Sequence, residues 1–168
     1  AEPNKVMRWA EKLGPKTRPR IGIAWSSASN FKNDAKRSLL LSEFLKALPN
    51  DGYDYICLQK EIKDCDKEAL ATHKNIQFFG GELNSFADTA ALIECVDLVV
   101  STCTSIPHLS ASLGKDTWVL LSIVPDWRWL LGRDDSPWYP SMKLFRQVEI
   151  GDWVSVLKKM NFDLLNIS

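Results

Sequence analysis

The sequence lacks the features that mark membrane-spanning, nucleic-acid-binding and zinc-binding proteins. Its 168 residues contain no apolar run near the ~18 residues that a membrane span needs. The 21 basic and 21 acidic residues cancel, which argues against the basic surface of a nucleic-acid-binding protein. Four cysteines and two histidines give no C-x-x-C pair and no zinc-site spacing. We therefore expect a cytoplasmic, globular chain that has no disulfides, no bound metal, no nucleic-acid partner and no transmembrane segment.

Several catalytic and cofactor motifs are also missing. The sequence has no G-x-S-x-G elbow of a serine hydrolase and no H-E-x-x-H metal motif. It has neither a G-x-G-x-x-G fingerprint nor a P-loop, which argues against a nicotinamide-dependent dehydrogenase. No repeat, linker or low-complexity segment divides it. We expect one domain over 1–168, with a helical lead-in at 1–20 and a Trp-rich loop at 122–140.

What the sequence does contain is a regular alternation of short apolar runs and helical patterns. Six runs predict strands at 21–25, 53–58, 76–79, 97–100, 117–121 and 143–145. Helices are predicted between them, one of them with Ser42 as its N-cap. This order predicts an α/β fold, a doubly wound, Rossmann-like parallel sheet with helices on both faces. If the strand order is 3-2-1-4-5-6, ligands bind between strands one and four.

The loop after the first strand is the first candidate for a ligand site. It begins with the hydroxyl of Ser26 and continues through Lys32 and Arg37. Hydroxyls and cationic side chains can hold phosphate oxygens. A solvated polar loop has the same composition, and only its place over the crevice favours binding.

The turn after the fourth strand is the second candidate. Thr104 or Ser105 can cap a helix there, and His108 follows in its first turn. The N-terminus of a helix carries a partial positive charge that suits a diphosphate. Any capped helix begins in this way, however, and His108 can equally be a half-buried structural residue.

Two further pairs flank the same crevice. Gln59 and Lys60 close the second strand, where a lysine is usually solvated. Asp88 and Thr89 open a helix in a pattern close to a capping box, so capping competes with binding of a sugar hydroxyl.

The segment 122–140 is unusually rich in tryptophan. Three Trp, one Tyr and two Arg lie in this single connection between strands. Indole faces can pack against sugars or bases, but such a loop can also pack on itself or dock a partner.

Five blocks, taken in order, resemble the C-terminal half of heptosyltransferase-like, family 9-like glycosyltransferases, which in bacteria often follows tetratricopeptide repeats. They are Ile21–Ser26 with Lys32–Asp34 and Arg37–Ser38; Leu58–Lys60; Phe86–Ile93 with Asp97–Val100; Thr102–Thr104 with His108–Leu109 and Leu113–Lys115; and Val124–Trp129 with Ser136–Pro140 and Leu144–Gln147. The resemblance covers nearly the whole chain after residue 20.

The resemblance implies half of a GT-B fold that holds a nucleoside-diphosphate-sugar donor without a metal or another cofactor. The donor-binding residues it implies are Ser26, Lys32, Asn33, Arg37, Gln59, Lys60, Asp88, Thr89, Thr104, Ser105 and His108. It names no catalytic residue.

Two departures accompany this resemblance. Relatives usually carry Asp-Thr where this chain has Cys103 and Thr104, so a carboxylate that accepts sugar hydroxyls is missing. The acceptor site of such enzymes lies in an N-terminal domain, and we expect this chain to need that domain, or a repeat domain, as its partner. Alone it is expected to bind donor without transferring it. The alternative is a degenerate, non-catalytic module that binds a nucleotide sugar or a protein.

Overall fold

A single parallel sheet organises the chain. In the computed structural model, which describes residues 1–27 and 38–167, six strands lie in the order β3-β2-β1-β4-β5-β6. They are β1 (Arg20–Ala24), β2 (Asp54–Cys57), β3 (Ile76–Phe78), β4 (Leu98–Thr102), β5 (Asp116–Leu121) and β6 (Met142–Arg146). All five pairings are parallel. The predicted fold class is confirmed, and the strand order is the one for which a crevice between the first and fourth strands was expected.

Helices cover both faces of this sheet. They are α1 (Pro3–Leu13), α2 (Leu41–Lys46), α3 (Asp64–Thr72), α4 (Phe86–Glu94), α5 (Ser105–Ser112) and α6 (Trp153–Leu165). One face packs against α2, α3 and α6, and the other packs against α1, α4 and α5. This two-sided cover explains why every residue of β1 and β4 is buried. No helix in the described part of the chain is long and apolar enough to cross a membrane.

The first helix is held on α4 by both apolar and ionic contacts. Trp9 and Leu13 are its buried residues and join the core beside α4. The Lys5 ammonium reaches the Asp88 carboxylate of α4 at 2.6 Å. The guanidinium of Arg20 donates to the backbone carbonyls at the end of α1, so the lead-in is part of the fold.

The start of α2 differs from the sequence-based prediction. Ser42 was expected to be the N-cap, but Leu40 occupies that position and provides no side-chain cap. The carboxylate of Asp66, from α3, accepts the Leu41 N–H at 2.8 Å instead. The Ser42 prediction is wrong because the capping oxygen comes from a residue 25 positions away in sequence.

The outer edge of β6 is covered by the chain that precedes it. The Leu144 N–H donates to the carbonyl of Asp134 at 2.7 Å. Asp135 and Lys143 form an isolated antiparallel bridge beside it. Residues near 134 therefore run along the edge strand as part of the connection from β5 to β6.

Candidate functional site

A cavity of about 760 Å³ opens at the carboxyl ends of the strands. It extends from the end of β2 to the segment after β5 and crosses the boundary between β1 and β4, where the strand order reverses. This is the crevice that the predicted topology indicates for a ligand. Its lining is Ser26, Ser27, Leu58, Gln59, Lys60, Glu61, Leu83, Asn84, Ser85, Phe86, Thr89, Cys103, Thr104, Ser105, Ile106, His108, Asp126 and Arg128.

The buried amide of Gln59 builds the floor of this cavity. Its Oε1 accepts the Trp25 N–H at 2.7 Å and the Ser26 N–H at 3.0 Å. Its Nε2 donates to Ser26 Oγ at 3.1 Å and to the Glu61 carbonyl at 3.2 Å. Gln59 therefore ties the ends of β1 and β2 together. The Ser26 hydroxyl accepts from Gln59 and keeps its own proton as a donor.

A close backbone approach places the next part of the wall. A Cβ on Gly80 would lie well under 3.0 Å from the carbonyl oxygen of Lys60 and from the Phe78 ring, so glycine is needed there. The segment after β3 consequently lies against the end of β2. It brings Asn84 and Phe86 to the cavity, and the Phe86 side chain is 65% exposed.

The start of α4 is a capping arrangement in which Asp88 turns away from the cavity. Ser85 Oγ accepts the Asp88 N–H at 3.3 Å and donates to Asp88 Oδ2 at 2.8 Å. The Lys5 hydrogen bond, followed by the one from Ser85, lowers the pKa of Asp88 to about 2. Thr89, one residue later, does line the cavity.

The N-terminus of α5 faces the cavity. Thr104 is its N-cap and accepts the Ile106 N–H at 3.3 Å. Pro107 has no N–H to offer, so Ser105 presents the first N–H of the helix together with its hydroxyl. The helix dipole adds a partial positive charge at this point.

An aromatic stack supports the far wall. The His108 imidazole stacks on the Trp129 indole with centroids 4.7 Å apart, and Tyr139 meets it edge-on. The Trp129 Nε1–H donates to the Cys103 sulfur at 3.0 Å. Burial, and then the positive charge of Arg128, lower the pKa of His108 below its ordinary value and favour the neutral imidazole.

Asp126 and Arg128 complete the cavity from the segment after β5. Asp126 Oδ1 accepts the backbone N–H of Arg128 at 3.0 Å, and both carboxylate oxygens accept from its Nη1, at 3.0 and 3.2 Å. Burial would raise the pKa of Asp126, but these hydrogen bonds outweigh it and hold the pKa below its usual value. The guanidinium also lies 4.7 Å from the centre of the exposed Trp127 ring.

Seven of the eleven predicted site residues meet in this cavity. They are Ser26, Gln59, Lys60, Thr89, Thr104, Ser105 and His108. Asp88 lies outside it, and Lys32, Asn33 and Arg37 lie outside the described residues. Within 1–27 and 38–167, no group of three or more His, Cys, Asp or Glu side chains could hold a metal ion.

The charged pair Asp126 and Arg128 was missed by the sequence analysis. The available signal was the D-x-R spacing, in which an aspartate caps a short turn and holds an arginine two residues on.

Comparison with known proteins finds a curated relative and similar solved structures. No protein-family model matches the chain. Protein FlbA of Caulobacter vibrioides is 30% identical over 164 residues, an alignment that spans 90% of this chain and 26% of FlbA. The chain therefore spans about a quarter of that relative.

Two solved structures share the fold across nearly the whole chain. The ADP-heptose lipopolysaccharide heptosyltransferase II of E. coli superposes with a TM-score of 0.67 at 17% identity, over 98% of this chain and 52% of that one. A family 9 glycosyl transferase from Veillonella parvula gives 0.67 at 10% identity, over 98% and 50%. This chain thus has the fold of one half of a GT-B structure, as the resemblance implied.

Proposed function

We propose that this chain is the donor-binding domain of a glycosyltransferase and takes a nucleoside diphosphate sugar. The observation that carries this proposal is the cavity of about 760 Å³ at the β1–β4 boundary, into which the N-terminus of α5 points. The similarity of the fold to half of a heptosyltransferase supports the same assignment. The chain spans about half of the glycosyltransferase structures that it matches. Sugar transfer by the complete protein is therefore also proposed.

The diphosphate is assigned to the α5 side of the cavity. Ser105 offers a hydroxyl and a helix N-terminal N–H there, and Arg128 offers a guanidinium. Together with the helix dipole they stabilise negative charge. The nucleoside is assigned to the opposite side, where Leu58, Leu83 and the exposed ring of Phe86 give an apolar wall for a base.

In this arrangement the chain binds the donor and assists the departure of its diphosphate. The bond between the anomeric carbon of the sugar and the diphosphate oxygen breaks, and an acceptor oxygen forms the new bond to that carbon. Arg128 and the α5 terminus stabilise the charge that develops on the leaving diphosphate. The acceptor and the base that takes its proton are assigned to a second domain, so this chain alone should bind donor without turnover.

The test is binding of a nucleotide panel. Ligand-detected NMR with UDP, ADP, GDP and CMP, each with and without a linked sugar, should show one nucleoside diphosphate that binds and is displaced by its sugar conjugate. CMP, which carries a single phosphate, should bind more weakly. Arg128→Ala should weaken that binding about tenfold or more, because a hydrogen bond to a charged group is lost. Arg133→Ala is the matched control, since Arg133 also pairs with a nearby aspartate but lies outside the cavity. No binding by any member of the panel would overturn the proposal.

A second candidate is a non-catalytic nucleotide-sugar-binding or protein-interaction module. The observation that favours it is the Cys103 sulfur, which receives the Trp129 N–H and offers the cavity no carboxylate. The two candidates are separated by activity of the full-length protein. If nucleotide sugars bind but no transfer is detected, and Cys103→Asp restores transfer, the chain is a degenerate transferase half.

A further inference from the structure

The cavity holds two carboxylates among its described lining residues, and they follow strands that are not neighbours in the sheet. Glu61 follows β2, whereas Asp126 follows β5. Three inter-strand steps separate these positions in the sheet, which is roughly 14 Å. Each carboxylate therefore follows a strand on a different side of the strand-order reversal.

On the α5 side, Asp126 is the acidic hydrogen-bond acceptor. The Cys103 sulfur on that wall already receives the indole N–H of Trp129. The Ser105 and Thr104 hydroxyls belong to the helix terminus, where an anion is favoured. His108 has one acceptor nitrogen when neutral, but its ring is held against Trp129.

A carboxylate beside a phosphate-binding arginine needs a ligand group that donates hydrogen bonds. Asp126 repels phosphate oxygens, so the diphosphate contacts Arg128 and a different group contacts Asp126. In a nucleotide sugar the diphosphate lies between the ribose and the transferred sugar. With the nucleoside on the opposite side of the cavity, the donors left for Asp126 are the hydroxyls of the transferred sugar. We propose that Asp126 accepts hydrogen bonds from those hydroxyls and makes the cavity prefer the sugar conjugate over the free nucleoside diphosphate.

The carboxylate is held in place for this role before any ligand binds. Its hydrogen bonds from the Arg128 N–H and Nη1 fix both oxygens. Trp129, the next residue, is fully buried and anchors the turn. A carboxylate has about four acceptor positions, and Arg128 uses three contacts, so capacity remains for a hydroxyl donor.

This inference rests on the proposed function, and the experiment separates the two. Titration calorimetry compares a nucleoside diphosphate with its glucose or mannose conjugate, using UDP, ADP and GDP pairs, on the wild-type chain and on Asp126→Asn. The matched control is Asp135→Asn, because Asp135 pairs with Arg133 in the same connection but outside the cavity.

We expect the wild-type chain and Asp135→Asn to bind one conjugate about tenfold more tightly than its free nucleotide. Asp126→Asn should lose most of that preference, since an asparagine oxygen is a weaker acceptor than a carboxylate. It should bind the free nucleotide at least as tightly as wild type, because the charge that repels phosphate oxygens is gone. A preference that survives in Asp126→Asn overturns the inference, as does an equal loss for both ligands or a wild-type chain without any preference. Absence of all nucleotide binding overturns the proposed function instead.

Discussion

The buried carboxylate of Asp66 accepts a hydrogen bond from the Trp25 indole N–H at 2.8 Å. Its other oxygen accepts the backbone N–H of Leu41, also at 2.8 Å. One side chain on α3 thus ties the end of β1 to the start of α2. Since Trp25 precedes Ser26 in the cavity floor, this buried carboxylate also supports the site.

Removing that carboxylate should be costly. In Asp66→Ala, the Trp25 and Leu41 donors lose their acceptor in a buried environment, and each unsatisfied donor costs about 1–3 kcal/mol. We expect the free energy of unfolding to fall by about 2–4 kcal/mol in urea titrations. Asp64→Ala is the control, because Asp64 lies on the same helix with its side chain 94% exposed. It should change the free energy by less than about 0.5 kcal/mol; equal effects of both variants would contradict the role of Asp66.

The ion pair between Lys5 and Asp88 should give an acid-dependent loss of stability. The folded pKa of Asp88 is about 2, below the ~3.9 of an unfolded aspartate, so its contribution is complete above pH 4 and is lost as the pH falls through 2. Lys5→Met should raise that folded pKa, lower stability at pH 7 and flatten the loss between pH 4 and 2. Thermal unfolding across this range measures it. Arg8→Met, on the same helix and with an exposed side chain, should keep the wild-type slope.

His108 should titrate below an ordinary histidine. Burial and then Arg128 lower its pKa, whereas Asp126 raises it. In NMR titrations of the imidazole protons, Arg128→Ala should therefore shift the midpoint upward and Asp126→Asn should shift it downward. Arg133→Ala should leave it unchanged. Shifts of the same sign in both cavity variants would show that the neighbouring charges do not act on His108 as the geometry requires.

Gly80 should tolerate no side chain. A Cβ there would collide with the Lys60 carbonyl and the Phe78 ring, whereas a Cβ on Gly81 meets nothing within 4 Å. Gly80→Ala should lower the free energy of unfolding by about 1–3 kcal/mol, the usual cost of overpacking. It should also weaken nucleotide binding by displacing the wall that carries Phe86. Gly81→Ala, measured by the same urea titrations, serves as the control.

The strands of the sheet could be predicted because each contains a short, continuous run of apolar residues. Runs such as Ile21–Trp25 are apolar throughout, and only strands buried on both faces need that pattern over so short a length. The strand order then placed the crevice, and with it the turn at Thr104, whose capping role is confirmed.

The parts that sequence analysis did not predict depend on distant partners. The local sequence around Asp88 fits a helix cap and a ligand site equally well. The partner that decides its role is Lys5, which lies 83 positions away in sequence. Ser42 looked like a helix cap because Asp66 cannot be recognised as its competitor from local sequence. Arg128 lies at the cavity because its neighbour Trp129 is buried and fixes the turn there. The burial of Trp129 cannot be deduced from the local sequence.

The chain segment beside β6 has a consequence for how copies of this domain behave at high concentration. An open edge strand offers unpaired N–H and C=O groups to another molecule and promotes intermolecular strand addition. Here the contacts from Asp134 and Asp135 occupy part of that edge. At the opposite edge, β3 is three residues long and offers little length for pairing. Both edge strands therefore offer another molecule only a short length for strand addition.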